Sequence, residues 1–488
     1  PKFPSPHNLM FLLRYADREE DSKALEMVEK TLTQMRMGGI FDQVGGGFHR
    51  YSTDQKWLVP HFEKMLYDQA MLLMAYTEGW QCTNNDLFKQ TSDEICSYLN
   101  RKMQDQKGGF YSAEDADSEG EEGKFYVWST EEIREFLPLA EAELFIEAYN
   151  LKDEGNYYDE STGRKTGKNI PYLQKSFEKL AYERDMEPEN LRSALVSIRE
   201  KLMEERKKRV HPLLDDKILT DWNGLIIAAL AKAGSVFKNK DYIARAEQCW
   251  SFIEEQMLTE DGRLKHRYRN GDVAINGHAD DYAFVVWGLL ELYQATLKTK
   301  YLQYAVSLNQ QFINDFWDDE NGGFYFTAES AEDLLGRKKE IYDGAMPSGN
   351  SIAMMNLLRL GRMTANTERE QMVDETLKLF ANSIDKAPTS FGAALQSIDF
   401  LEGHGQEIVI ADFQDDSEIN QFIRPLYDRF LPRAVIIYHD PEDDIIRDLV
   451  PYLSDFGMKD EKPTAYVCQN YACELPTNDP DKMMELLR

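Results

Sequence analysis

Five times along this chain a long polar loop runs straight into a helix that is apolar almost all round. The loops carry His49, Arg50 and Tyr51; Glu114, Asp115 and Asp117; Asp221, Trp222 and Asn223; His278, Asp280, Asp281 and Tyr282; and the run from Asp343 to Asn350. Apolar helices are predicted at 62–80, 225–237, 282–293 and 352–360. A helix with no polar face needs neighbours on every side. A ring of such helices inside a second ring supplies them.

The second ring is legible too. One-faced helices are predicted at 22–37, 86–103, 190–207, 241–257, 301–316 and 368–384. In 241–257, Tyr242, Ala246, Cys249, Trp250 and Ile253 recur at helical spacing, while Arg245, Glu247 and Glu254 mark the wet face. The Met37-Gly38-Gly39 ending suits a glycine C-cap. Pairing each one-faced helix with the next apolar one gives six hairpins: 22–37 with 62–80, 86–104 with 131–149, 190–207 with 221–237, 241–257 with 280–299, 301–316 with 348–363, and 368–384 with 390–402. Segment 4–15 reads like 347–360 and is expected to enter the inner ring in place of 131–149, the least uniformly apolar member. The predicted fold is mainly α, an (α/α)6 toroid over residues 1–403.

The connections set a polarity. Inner-to-outer links at 239–240, 299–300 and 364–367 are a few residues long, whereas links at 38–61, 105–130, 259–279 and 317–347 run to roughly 20–30 residues, a length that usually carries function. Their Gly-Gly-Phe motifs at Gly46–Phe48, Gly108–Phe110 and Gly322–Phe324 predict short β-hairpins. All long loops and all inner-helix N-termini, with their free N–H groups, then share one mouth. From residue 404 to 488 the pattern becomes βαβαβ, read as a small C-terminal domain with a parallel sheet. It contains neither a G-x-G-x-x-G nor a P-loop.

Composition excludes whole classes. A formal net charge of −30 opposes nucleic acid and anionic membranes. No apolar run approaches the roughly 20 residues of a membrane span, and no signal peptide is visible. The missing initiator Met reads as a processed or truncated piece. Five cysteines without zinc spacing predict a reducing, cytoplasmic setting. Cys96 and Cys249 read as core residues, and Cys468 and Cys473 are within reach of one another. Neither a metal nor a cofactor is called for by any ligand set.

The mouth carries the candidate chemistry. His61, predicted on the first turn of an inner helix with Pro60 at N1 and Asp68 on the same face, and His278, beside Asp280 and Asp281, are candidate acid/base groups. Satisfying helix N–H groups is the plain alternative for His61 and Glu63. At His278 one Asp is expected to be the N-cap, which does not account for a His and two Asp together. Asp115 is a candidate carboxylate in an acidic loop with Glu114 and Asp117, for which a solvated acidic loop is the plain alternative. Tyr126, Trp128 and Trp222 offer ring faces suited to a sugar. His49, Arg50, Glu63, Asn223, Tyr282, Ser348 and Asn350 complete the candidate binding set, with capping as the alternative for Asn223 and Ser348.

At Pro1-Lys2-Phe3-Pro4, Gly45–Tyr51, Trp57–Asp68, Glu114–Asp117, Asp221–Gly224 and Gly344–Ser351 the chain resembles the YyaL family, which includes spermatogenesis-associated protein 20. The resemblance spans essentially the whole chain. It implies a barrel similar to six-hairpin glycosidases and N-acylglucosamine 2-epimerase, a sugar-like ligand, and a thioredoxin-like domain N-terminal to this chain. Three readings follow. In the first, His61 and His278 move a proton on and off a carbon next to a carbonyl, as in an epimerase or isomerase; Trp222, Tyr126 and Trp128 stack on the ring, and Asn223, Arg50 and Asp281 bind hydroxyls. In the second, Asp115 and Asp281 form a glycosidase pair. In the third, the barrel is a non-catalytic module binding a glycan or peptide for its thioredoxin-like partner.

Overall fold

The computed structural model describes residues 1–158, 165–329, 336–403, 405–412, 416–469 and 472–487, with backbone only for 416–419. Along the chain come α1 (Pro6–Glu19), α2 (Ser22–Met37), α3 (Leu66–Thr83) and α4 (Asp86–Tyr98), the last extended by a π turn at Leu99–Met103. Then follow α5 (Thr130–Phe136), α6 (Leu139–Ala148), α7 (Phe177–Glu183) and α8 (Pro188–Arg206). The barrel resumes with α9 (Thr220–Phe237), α10 (Lys240–Gln256), α11 (Ala279–Thr296), α12 (Thr299–Phe316), α13 (Gly349–Thr364), α14 (Thr367–Lys386) and α15 (Gly392–Glu402). The C-terminal unit holds α16 (Asp416–Asp428), α17 (Asp444–Leu449) and α18 (Pro480–Leu486).

Six of these close a ring. α1 packs on α3, α3 on α9, α9 on α11, α11 on α13, α13 on α15, and α15 back on α1. α3 buries every residue from Leu66 to Gly79, and α11 every one from Asp281 to Tyr293. The tightest pair is α9 with α11, where Gly224 and Gly288 face each other: a Cβ on Gly288 would sit 2.9 Å from the Gly224 carbonyl oxygen. α2, α4, α10, α12 and α14 form the outer layer. The chain is therefore mainly α, an (α/α)6-type toroid, with α1 as an inner member in place of 131–149.

Three expectations change. Residues 131–149 form α5 and α6, and together with α7 and α8 they bury a second core around Trp128, Ile133, Phe145, Leu195 and Leu202. The 190–207 helix thus belongs to an insertion, and α4 is the outer helix before α9. Gly38 ends α2 with extended backbone (φ −70°), not the left-handed turn of a glycine cap; it is small because a Cβ would meet the Trp57 carbonyl oxygen at 2.3 Å. The third inner change is at α3, which begins at Leu66 and not near residue 62. His61 lies on a two-residue strand, Pro60–His61, paired with Tyr51–Ser52, so Pro60 is not a helix N1 residue and His61 does not share a helical face with Asp68.

Among the described residues no helix is long and apolar enough to cross a membrane. The C-terminal sheet places Gln406–Ala411 parallel to Ala434–His439 but antiparallel to Thr464–Gln469. The expected parallel sheet holds for one pair only. One sheet face joins the barrel core through Val409, Val435, Ile437 and Tyr466; the other packs under Phe422, Leu426 and Met483. Cys468 and Cys473 are disulfide-bonded across the last hairpin, while Cys96 and Cys249 are buried free thiols. Residue 404, where the sequence reading divides the chain, lies outside the described residues.

Candidate functional site

The long loops are fastened to the inner helices by one repeated device. Near the N-terminus of α3 the Gln69 carboxamide accepts the Phe48 N–H at 2.8 Å and donates to the Phe48 carbonyl at 2.7 Å. Asn223 on α9 does the same to Phe110, at 2.8 and 3.0 Å, and Asn350 on α13 to Phe324, at 2.8 Å for both bonds. Tyr282 on α11 supplies a partial version, its hydroxyl accepting the Leu264 N–H at 3.1 Å. A primary amide presents the same donor and acceptor as a peptide group, so it substitutes for a missing strand. The glycines permit the tight turn: Gly47 has φ +80°, and a Cβ there would meet the Tyr98 ring at 2.6 Å. Asn223, Asn350 and Tyr282, expected to touch a ligand, are therefore occupied in holding loops.

Fastened this way, the loop after α10 delivers His266 against the start of α11. Its Nδ1 lies 3.0 Å from both oxygens of Asp281. Asp281 is fully buried and also accepts the Asp221 N–H at 2.9 Å and the His278 N–H at 2.7 Å. It is a capping residue that also orients an imidazole. The His266 and His278 rings meet edge to face with centroids 5.0 Å apart, and His278 stacks on Phe326 at 4.9 Å.

The two imidazoles are pushed in opposite directions. Burial lowers His266, but the Asp281 hydrogen bond and charge, with Asp221 and Asp280 behind, outweigh it and raise the ring to about 9. His278 is lowered, by burial first and by the neighbouring His266 charge as well, against the pull of Asp281. Burial and then the Asp281 charge push Asp280 up to about 7, and the same two causes hold Asp221 well above the carboxylate range. At neutral pH the group thus holds a charged imidazole, a neutral one and two proton-rich carboxyls. One ligand atom each from His266, His278 and Asp281 lies within 4.8 Å of the others, a spacing suited to a metal. The Asp281 oxygens already accept four contacts, so a cation there would compete with the His266 proton.

A second strip runs around the mouth from α3. His61 is held by Glu122 at 2.8 Å on Nδ1 and Glu63 at 3.1 Å on Nε2, and stacks on Tyr51 at 4.9 Å. The Glu122 hydrogen bond leads in raising its pKa. Both ring nitrogens face carboxylates, an arrangement that favours the charged imidazole and leaves neither nitrogen free. Glu63 also binds Arg50 at 3.0 Å, and Tyr67 meets half-buried Trp222 edge to face at 4.9 Å. Asp68 is buried, with its Oδ2 unbonded; burial holds it well above the usual carboxylate range.

Other candidates lie elsewhere. Tyr126 is buried against Phe62 and His49, and Trp128 is fully buried under the Arg209 guanidinium, 3.9 Å from its ring; neither presents a face to the mouth. His49 is buried beside the Phe62 carbonyl oxygen at 2.9 Å, and burial drives it down to about 3. Glu114 is buried and accepts the Tyr98 hydroxyl at 2.6 Å. Asp115 and Asp117 are exposed, and Asp115 accepts the Asp117 N–H, whereas Asp281, its expected partner, is fully buried. Ser348 caps α13 through the Ser351 N–H at 3.1 Å. His266 and Tyr67 were missed. The available signal was that His266 is one of eight histidines and falls inside the long 259–279 loop.

No family model matches the chain. Across its full length it is 35% identical to spermatogenesis-associated protein 20 of Homo sapiens and 34% identical to that of Rattus norvegicus, spanning 66% of the length of each. It is 31% identical to an uncharacterized Caenorhabditis elegans protein, again over its full length and over 70% of that protein. Similar solved structures include an alpha-mannanase of Bacteroides thetaiotaomicron (TM-score 0.47, 11% identity, 78% of this chain and 75% of that one) and a D-mannose isomerase (TM-score 0.37, 13% identity, 74% and 87%). The chain belongs to the family of spermatogenesis-associated protein 20.

Proposed function

We propose that the mouth is the active site of a sugar epimerase or isomerase, with His278 and His266 as its proton-moving pair. The observation that carries this reading is the contact of two imidazoles biased to opposite charge states over one buried carboxylate. Groups pushed apart in this way divide into acid and base. Neutral His278 takes the proton from a carbon next to a carbonyl. Charged His266, oriented by Asp281, returns a proton to that carbon or its neighbour, and proton exchange from His278 to His266, whose rings touch, or with solvent restores both to their starting states. Trp222 and Tyr67 provide the apolar wall, Arg50 and Glu63 bind hydroxyls, and the unbonded Asp68 oxygen takes one more. His61 acts as a fixed cation in the rim and not as the second base. The test is deuterium uptake at carbon 2 from D2O, with aldoses and N-acylated hexosamines as probes. His278→Gln and His266→Gln should each slow uptake by at least about 100-fold while leaving the fold intact. Uptake at the wild-type rate in His278→Gln removes the assignment.

One observation favours a second reading. Asp280, pushed up to about 7, is a carboxylic acid suited to protonate a leaving group near neutral pH. Release of aryl aglycones that is lost in Asp280→Asn, with no deuterium uptake, would favour a glycoside hydrolase. Stabilisation by a sugar without any turnover would favour a binding module serving a thioredoxin-like domain.

A further inference from the structure

The barrel axis contains a cavity at the opposite end from the mouth, with a volume of about 110 Å³ and a floor made by the C-terminal unit. Every inner helix sends at least one polar side chain into its wall, among them Arg14, Glu78, Lys232, Glu291, Arg359 and Gln396. Arg14 clasps Glu78 with two bonds of 2.6 and 2.9 Å, joining α1 to α3. Arg359 donates to Glu291 at 2.6 Å, joining α13 to α11. Lys232, on α9 between those pairs, has no hydrogen-bond or ion-pair partner among the described residues. From the floor comes Arg429, whose guanidinium donates to the carbonyls of Leu487 and Met484 at 2.6 and 3.5 Å.

The lining therefore holds four cationic side chains against two carboxylates. This surplus sits inside a protein whose net charge is −30. Lys232 is half-buried and Arg429 exposed; the carboxylate near Lys232 is Glu291, which is already bonded to Arg359, so the lining keeps a net positive charge toward the cavity. Lys232 and Arg359 each keep an uncommitted donor beside the same space, and Met71, Met74 and Trp287 close its sides. A compact oxyanion satisfies both the charge and the free N–H groups, since charge-assisted bonds are the strong ones.

We propose that this axial cavity is a binding site for a phosphate-sized oxyanion, held by Lys232, Arg359 and Arg429 and separate from the mouth. The site straddles barrel and C-terminal unit, so occupancy ties the two together. The probe is inorganic phosphate, titrated calorimetrically into the full chain at constant ionic strength set with chloride. Saturable binding is expected, with affinity reduced at least about ten-fold in Lys232→Gln and retained in Lys232→Arg. Arg429→Gln lies on the floor, outside the ring, and gives the same reading if Lys232→Gln does not fold; its affinity should fall as well. His278→Gln should bind phosphate as the wild type does. Absence of saturable binding in the wild type, or unchanged affinity in a folded Lys232→Gln or Arg429→Gln, overturns the proposal.

Discussion

A single carboxyl shows how burial and function pull against stability. Asp280 ionises near 3.8 when unfolded and at about 7 when folded, so the native state holds its proton more tightly. Its contribution to stability is greatest below pH 3.8, falls as pH rises to 7, and stays low above. Asp280→Asn keeps an oxygen acceptor for the Gly349 N–H and cannot ionise. It should match the wild type near pH 4 and exceed it above pH 7 by on the order of 1 kcal/mol or more, read from thermal unfolding across that range. A difference independent of pH would show that the carboxyl is not proton-rich. The sequence made Asp280 and Asp281 visible as a pair at a helix start but did not show which of them would be consumed by capping. That depends on the register between β-hairpin and helix, fixed only when Leu264 meets Tyr282. His266 was hidden for the same reason: its partner is fifteen positions away and reached through a turn.

Elements were far more legible than contacts. Outer helices follow from 3.6-residue periodicity, and α2 falls on the expected residues because one apolar stripe decides both its extent and its face. Inner helices were harder to start, since apolarity continues back into the preceding strands; hence α3 begins later than expected. The insertion was misassigned because α8 has the same stripe as an outer helix, although its stripe meets α5 to α7. The repeated amide clamp had no periodic signature at all. It gives a direct test: Asn223→Ala strands the buried Phe110 N–H and carbonyl and should cost about 2–4 kcal/mol in denaturant unfolding, as should Asn350→Ala at Phe324. The insertion is fastened by Arg206, which makes two bonds of 2.9 and 2.8 Å to buried Asp42. Arg206→Ala should cost about 3–5 kcal/mol, measured the same way. A loss under 1 kcal/mol in either series would mean the loop finds other partners.

Over the whole molecule, the toroid could be read from the alternation of all-round apolar and one-faced helices, and its polarity from the alternation of long and short links. The relation of the C-terminal unit to the barrel could not. Its sheet shares the main core through Val409, Val435 and Ile437, and Tyr438 donates its N–H to the Tyr293 hydroxyl at 3.0 Å. Residues 1–403 expressed alone should therefore expose that core and lose cooperative unfolding, seen as aggregation on gel filtration or a broadened melt. A truncated barrel that melts as sharply as the full chain would make the two units independent.

Three of the four clamp residues sit within two positions of a buried carboxyl at a helix start. Asp68 precedes Gln69, Asp221 lies two positions before Asn223, and Asp281 precedes Tyr282. Neighbouring side chains on a helix point about 100° apart, so one turns to the mouth and the next to the loop. A saturation survey scored separately for protein abundance and for turnover should therefore find the two kinds of loss interleaved within a few residues, three times over, at helix starts lying far apart in the chain. On the proposed reading, variation that retunes the reaction can then accumulate one or two positions away from variation that would unfold the rim.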